Sequence, residues 1–287
     1  MRKKKTGIAM CFLAPYLLIF LFFRFIPSLS SIYISLTQWS IVGSPKFIGL
    51  QNYVALFKDP NFYKALVNNF YFLIIILPVL IILSLLTAVI LNEKIAGRNV
   101  VRTIAVIPYV IIPAVVGIMW NWIYDANFGI LNYVITLFGG SPVGWLINKN
   151  VALLAVSIVI IWSYLGYNMI LYLAGLQGID SSVYEAAQID GANRWQRLTQ
   201  ITLPLLGPTT SLITTLTLIN VVQVYDQVVV MTGGGPSMST LTLIQYQYIS
   251  GFERQQLGYG SAIGVVILVI LVMLVKLQSI VFKKEVS

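Results

Sequence analysis

Six long apolar runs, parted by shorter polar stretches, set the pattern of this chain. They cover about Gly7–Phe23, Leu66–Asn92, Val101–Tyr124, Val151–Gln177, Leu205–Met231 and Tyr259–Phe282. The five after the first are each long enough to cross roughly 30 Å of hydrocarbon as a helix. The first follows four consecutive cations, Arg2 to Lys5. It is too long for the apolar core of a signal peptide, and no small-x-small cleavage site follows it cleanly, so it reads as a retained span. In lipid the backbone must satisfy its own polar groups, so runs of this length predict an all-α integral membrane protein with six transmembrane helices. Pro78, Pro108 and Pro113 interrupt the second and third spans, which membrane helices tolerate when neighbours satisfy the freed carbonyls. Residues 1–6 form a cytoplasmic tail, and residues 7–287 a single transmembrane domain.

Arg24 lies at the end of the first run, about 25 Å along a helix. It is expected to snorkel to the outer interface. If the helix instead continues past Pro27 to Leu36, it would face a protein interior.

The polar interruption that stands out is residues 178–204. Ser182 followed three residues later by Glu185 has the form of a capping box, which predicts a helix starting there. Ala186 and Ala187 favour that helix, and Gly191 sits where a short one would end. Asn193 to Ile201 then suits a second short helix before Pro204 opens the next span. Two short helices in a tight bend predict a docking element, although capped helices also occur in ordinary loops.

Composition narrows the class. The chain is 58% hydrophobic and 9% charged, where a soluble domain carries about a quarter charged residues. It has no histidine and one cysteine, Cys11, which argues against zinc sites, histidine acid–base chemistry and disulfide scaffolds. No metal site is expected. The net charge of +9 is spread over span ends with no basic face, so nucleic acid is not expected as a partner and membrane lipid is.

With six spans, Arg2, Lys3, Lys4, Lys5, Lys94, Arg98, Arg102, Arg194, Arg197, Lys276, Lys283 and Lys284 fall on the amino-terminal side. Lys46, Lys58, Lys64, Lys149 and Arg254 fall opposite. Twelve against five puts both termini and the Glu185 loop in the cytoplasm. The outer connections, Thr37–Ala65, Asp125–Asn150 and Thr232–Gly258, hold Trp39, Tyr53, Phe57, Trp145, Tyr246 and Tyr248, which read as an interfacial belt.

Two polar stripes cross the spans. Tyr164, Tyr167 and Asn168 fall within about 100° on the fourth. Thr217, Asn220, Gln223 and Gln227 fall within about 120° on the fifth. Polar side chains are costly against lipid, so both stripes should face protein or water. Hydroxyls and amides beside aromatic rings suit a sugar, though such groups also join helices without touching solute. Asp226 is the acid well inside a predicted span, either a gating group or a structural charge paired with Arg24 or Arg254.

Glu185-Ala186-Ala187, then Gly191, then Ile201-Thr202-Leu203-Pro204 ten residues after that glycine, closely resembles the EAA loop of bacterial ABC importer permeases. Phe47-Ile-Gly-Leu-Gln-Asn-Tyr53, Phe128-Gly-Ile-Leu-Asn132 and Thr232-Gly-Gly-Gly-Pro236, with Thr240 and Tyr246 following, resemble outer-loop phrases of the carbohydrate branch. The likeness is to maltose-, multiple-sugar- and glycerol-phosphate-type permeases. One departure is Asp180-Ser181, where that family usually has a proline.

The resemblance implies the type I importer permease fold. It also implies a second homologous permease, two ABC ATPase subunits holding ATP and Mg, and an extracellular or periplasmic sugar-binding protein. The coupling residues it implies are Tyr184, Glu185, Ala186, Ala187, Asp190, Gly191, Arg194 and Pro204, with Glu185 capping its own helix. The implied location is the bacterial cytoplasmic membrane. The chain has no G-x-x-x-x-G-K-[ST] loop to cradle phosphates, so no cofactor is expected in it and it is not expected to be an enzyme.

The alternatives are an ion-coupled secondary transporter, a polytopic membrane enzyme and a purely structural membrane subunit. The inverted repeats of many secondary transporters are not evident. A membrane enzyme would need clustered carboxylates or histidines, and Asp180, Glu185 and Asp190, five residues apart, spread around a helix.

Overall fold

A computed structural model describes residues 12–41, 43–93 and 95–286, with backbone only from 283. The tail at 1–6, Cys11, Lys94 and the side chains of Lys283 and Lys284 lie outside the described residues. Among the described residues the secondary structure is helical apart from one short hairpin and an isolated bridge between Ser40 and Gln256, and the chain divides into two compact units.

The first unit comprises residues 1–62 and 246–269. Helix α1 (Phe12–Ser35) is 24 residues long and does not end near Phe23 as expected. A π-helical turn over Leu21–Phe25 precedes Pro27, which falls in the first turn of the α-helical segment that follows. Proline lacks an N–H and crowds the preceding turn, and a π-turn is one way for a helix to absorb that. The helix therefore runs on to Ser35. Arg24 lies mid-helix, exposed on the surface of this chain, rather than at a helix end.

The residues after α1 are held by specific bonds. Strands β1 (Thr37–Gln38) and β2 (Lys46–Phe47) pair antiparallel, and α2 (Gln51–Leu56) follows. The buried Asn52 donates to the carbonyls of Ser35 at 2.8 Å and Thr37 at 2.9 Å, and Tyr53 shares a hydrogen bond with the Ser35 hydroxyl at 2.6 Å. Those contacts explain the phrase Phe47–Tyr53 as a loop anchor. Tyr53 and the buried Tyr246 are thus pinned by hydrogen bonds, which corrects their reading as belt residues.

The second unit comprises residues 63–245 and 270–287. Its helices are most of α3 (Pro60–Asn92), then α4 (Arg98–Val110), α5 (Pro113–Ile123), α6 (Ile130–Leu137) and α7 (Ala152–Gln177). They are followed by α8 (Ser181–Ile189), α9 (Arg194–Leu205), α10 (Gly207–Val222) and α11 (Asp226–Thr232). Helix α12 (Leu243–Tyr248) and helix α13 (Leu257–Val286) complete the chain. Helix α7 is the hub of this unit. Half of its most apolar stretch is buried, against 22% in α3, so α3 presents mostly apolar side chains to lipid. One core cluster joins Phe72, Ile76 and Leu80 of α3 to Ala155, Val159 and Ile160 of α7. A second joins Ala88 and Leu91 to Met169, Tyr172 and Leu206. Trp145 donates to Asn132 at 3.1 Å, so it too is tied within its loop rather than free in a belt.

Two expected spans are broken. The third is a pair, α4 and α5, bent by 101°. Ile111 and Ile112 adopt extended ψ values of 139° and 128°. A residue before proline is pushed out of the helical region, and Ile112 precedes Pro113. Pro108, by contrast, stays inside α4.

The fifth span does not open at Pro204. That proline lies within α9, behind a π-turn over Arg197–Thr202. The chain bends by 65° to α10, which has Pro208 in its first turn. Helix α10 ends at Val222, whose carbonyl accepts from Asn69 at 3.1 Å, and α11 starts afresh at Asp226.

Candidate functional site

The polar stretch after α7 forms two short helices around one left-handed residue. Asp180 accepts the backbone N–H of Ser182 at 2.9 Å and so caps α8. This corrects the assignment of Ser182 as the cap. An aspartate reaches the amide two residues on, so the helix starts two residues earlier than a Ser182 cap would give, and Ser182 enters its first turn. The Ser182 N–H, and then its hydroxyl, hold the Asp180 carboxyl below its ordinary range. Glu185 is left exposed and caps nothing, which again differs from the expectation.

Gly191 has φ of +78°. Its N–H reaches the Gln188 carbonyl at 3.1 Å, and the Ala192 N–H reaches Ala187 at 2.9 Å. This is the Schellman end that a glycine permits and a Cβ disfavours. Asp190 closes α8 just before it. The capping box of this region belongs to Asn193 and Gln196, each accepting the other's backbone N–H at 2.9 Å. Arg194 is exposed at the start of α9, and Pro204 is exposed near its end. Tyr184 is tied across to Thr202 at 3.1 Å, so α8 and α9 are joined as one piece.

Ala187 is buried and Ala186 exposed. Ile189 is 87% exposed and Trp195 is 71% exposed. Both leave large apolar side chains uncovered on an otherwise polar loop. Ile189 and Trp195 were absent from the expected coupling residues. The signal for them was an apolar side chain outside any span.

The polar stripes are only partly brought together. Tyr109 of α4 stacks on Tyr167 of α7 with centroids 4.4 Å apart, and meets Tyr164 edge-on at 5.6 Å. A cavity of about 300 Å³ lies beside them, lined by Tyr109, Tyr164, Ser163 and Gln227. Asn168 does not open to it. Its amide donates to the Thr217 hydroxyl at 2.9 Å, both residues are buried, and the pair joins α7 to α10.

The expectation of one stripe over Thr217, Asn220, Gln223 and Gln227 is corrected, because α10 ends before Gln223. Asn220 is half-buried, Gln223 exposed at the break, and Gln227 buried on α11. Asp226 is exposed in the first turn of α11, at a helix N-terminus that favours a negative charge, rather than inside a span. Within its own unit, Arg254 lies over the Tyr246 ring at 5.7 Å. Tyr109 was missed because a single aromatic between two prolines carries no periodic signal. Only the α4–α7 crossing makes it part of a cluster.

Residues 48–284 match the model of the family described as binding-protein-dependent transport system inner membrane component. The chain belongs to that family. It is 34% identical over 270 residues to the arabinooligosaccharides transport system permease protein AraP of Bacillus subtilis, covering 93% of this chain and 86% of that protein. It is 33% identical over 272 residues to the trehalose/maltose transport system permease protein MalF of Thermococcus litoralis, covering 94% and 90%. A solved chain from a bacterial ABC transporter involved in the import of the acidic polysaccharide alginate matches with a TM-score of 0.86 at 24% identity. That match covers 98% of this chain and 96% of the other, and it shows a shared fold.

This chain therefore has the fold of the binding-protein-dependent permeases. It is a multi-pass transport subunit of an ATP-driven importer, with ATP hydrolysis on a separate subunit. That membership replaces the ion-coupled, enzymatic and purely structural alternatives.

Proposed function

We propose that this permease forms half of the pathway by which a carbohydrate enters the cell. A second homologous permease supplies the other half. Of two ATPase copies, one binds the loop at 178–204 from the cytoplasm, where both termini lie, and the other binds the second permease, while an extracytoplasmic sugar-binding protein delivers the cargo. The observation that carries the sugar reading is the Tyr109–Tyr167 stack, with Tyr164 at its edge and the Gln227 amide and Ser163 hydroxyl at the same cavity. Aromatic faces cover the apolar faces of a sugar ring, while amides and hydroxyls meet its OH groups. The cargoes in the relatives' names, arabinooligosaccharides and trehalose or maltose, support the same class.

In the coupling step, ATPase closure moves α8 and α9 as one tied lever and swings the spans that they join. Exposed Glu185, Ile189 and Trp195 meet the ATPase, and Gly191 holds the bend. The test uses the complete importer in proteoliposomes with its binding protein loaded with single sugars. A neutral mono- or oligosaccharide is expected to stimulate ATPase activity and uptake. Tyr109→Ala and Tyr167→Ala should each lower uptake about tenfold with basal ATPase activity unchanged. Stimulation by amino acids and by no sugar overturns the reading.

A further inference from the structure

The first unit holds a cavity of about 630 Å³ that none of the assigned roles uses. It lies where α1 ends and α13 begins, among residues of the first and last outer connections. Its volume falls in the roughly 300–1,000 Å³ range of small-molecule sites.

The walls are fixed. Asp59 accepts from the hydroxyl of Tyr246, from that of Tyr259 at 2.7 Å, and from the backbone of Asn61 at 2.9 Å. Tyr246 is 1% exposed, and the Arg254 guanidinium covers its ring. The Trp39 indole is set by a 2.9 Å bond from its N–H to the Gly43 carbonyl, leaving the half-buried ring as an apolar wall. Gly258 lets α13 come close, since its N–H donates to the Trp39 carbonyl at 3.2 Å and a Cβ there would overlap the Thr37 carbonyl.

The rim is the opposite in character. Gln38, Gln51 and Gln256 line the cavity, are exposed, and make no side-chain hydrogen bond among the described residues. Aromatic walls, a single acid offset by a single base, and three unengaged amides fit a neutral polyhydroxylated ring. They do not match an anion, which would meet Asp59, or an apolar solute, which would strand the amides.

We propose that this cavity is a second saccharide subsite, separate from the tyrosine cluster of the other unit. It holds a neutral sugar ring against Trp39 and Tyr259 through the three rim amides. This inference rests on the carbohydrate reading above.

The test takes the assembled importer in nanodiscs, without nucleotide and without binding protein, and records saturation-transfer NMR with maltotriose, trehalose and arabinotriose. At least one should give a signal that Gln256→Leu with Gln51→Leu weakens more than tenfold and Tyr109→Ala leaves in place. Trp39→Ala should remove it, and the rim variants guard against misfolding by that change. Glycerol 3-phosphate should not compete.

The inference is overturned if no sugar gives a signal, if the signal follows Tyr109 alone, or if glycerol 3-phosphate competes. It is also overturned if the rim variants leave sugar binding unchanged and instead weaken capture of the sugar-free binding protein, which makes the cavity a protein dock. Uptake of a sugar with unaltered binding in the rim variants defeats only this subsite. Failure of every sugar to drive uptake defeats the carbohydrate reading as well.

Discussion

Asp59 and Gly166 show how much single residues decide. Partial burial pushes the Asp59 carboxyl up, but the hydroxyls of Tyr246 and Tyr259 and the N–H groups of Asn61 and Phe62 together hold it below its ordinary value of 3.8. Its folded-state value is thus depressed, so its stabilising effect is complete at neutral pH and is lost as pH falls through that lowered value. Asp59→Asn is expected to destabilise the outer connections by about 2 kcal/mol at pH 7, the scale of hydrogen bonds to a charged group. Thermal unfolding in detergent should show wild type and variant converging below pH 3.8. A gap that stays constant with pH would place the effect in shape rather than charge. Gly166 allows α7 to approach α4, because a Cβ there would overlap the Ala105 carbonyl oxygen. Gly166→Ala should force the helices apart at about 1–3 kcal/mol and take Tyr109 off Tyr167. Uptake should fall sharply, while Gly178→Ala, whose added Cβ meets only ordinary contacts at 3.4 Å and beyond, should behave as wild type.

At the scale of elements, the coupling piece separates fold from contact. Gly191→Pro asks for φ near −65° where the chain has +78°, and it deletes the N–H that bonds Gln188. Glu185→Lys changes only an exposed side chain. Both proteins should insert into the membrane, and both should lose ATPase co-purification or sugar-stimulated hydrolysis. Normal values for the pair would remove the lever from the mechanism. The same element shows what the sequence could carry. The existence of α8 and the reversal at Gly191 followed from short-range grammar, since helix formers and a glycine act over a few residues. The capping residue did not, because Asp180 and Ser182 both suit a cap and the choice rests on which amide the carboxylate meets. The apolar runs marked the four long helices and both bent pairs, though not where α1 ends, and hydropathy is blind to direction, so neither the 101° bend before Pro113 nor the break after Val222 was visible in it. The site suffered most from this. Extending one helical face through Gln223 to Gln227 placed four side chains on a single stripe, whereas a carbonyl taken by Asn69 from another helix ends that face at Val222.

For the whole molecule those bends raise a question of direction across the bilayer. Among the described residues, four helices are long and apolar enough to cross, and six spans result only if each bent pair crosses as one. If both pairs instead turn back on the side they entered, the amino and carboxyl ends still share a side, but the loop at 178–204 moves to the other one. The cation count barely responds. Lys149 exchanges sides with Arg194 and Arg197, so twelve against five becomes eleven against six. The positive-inside bias therefore favours both arrangements almost equally, and the loop itself decides between them. Ile189 and Trp195 leave apolar surface uncovered there, and the ATPase that an importer of this family requires hydrolyses ATP in the cytoplasm. A docking surface on the far side would have no motor to meet. Six crossings are thus expected. With Cys11→Ser as background, a membrane-impermeant maleimide should label Gln38→Cys in intact cells and Gln188→Cys only after permeabilisation. Both positions are exposed on this chain, so a position that reacts after permeabilisation and not before reports the side of the membrane. Labelling of position 188 from outside would make the α4–α5 pair re-entrant, and would put the tied lever beyond the reach of the ATPase.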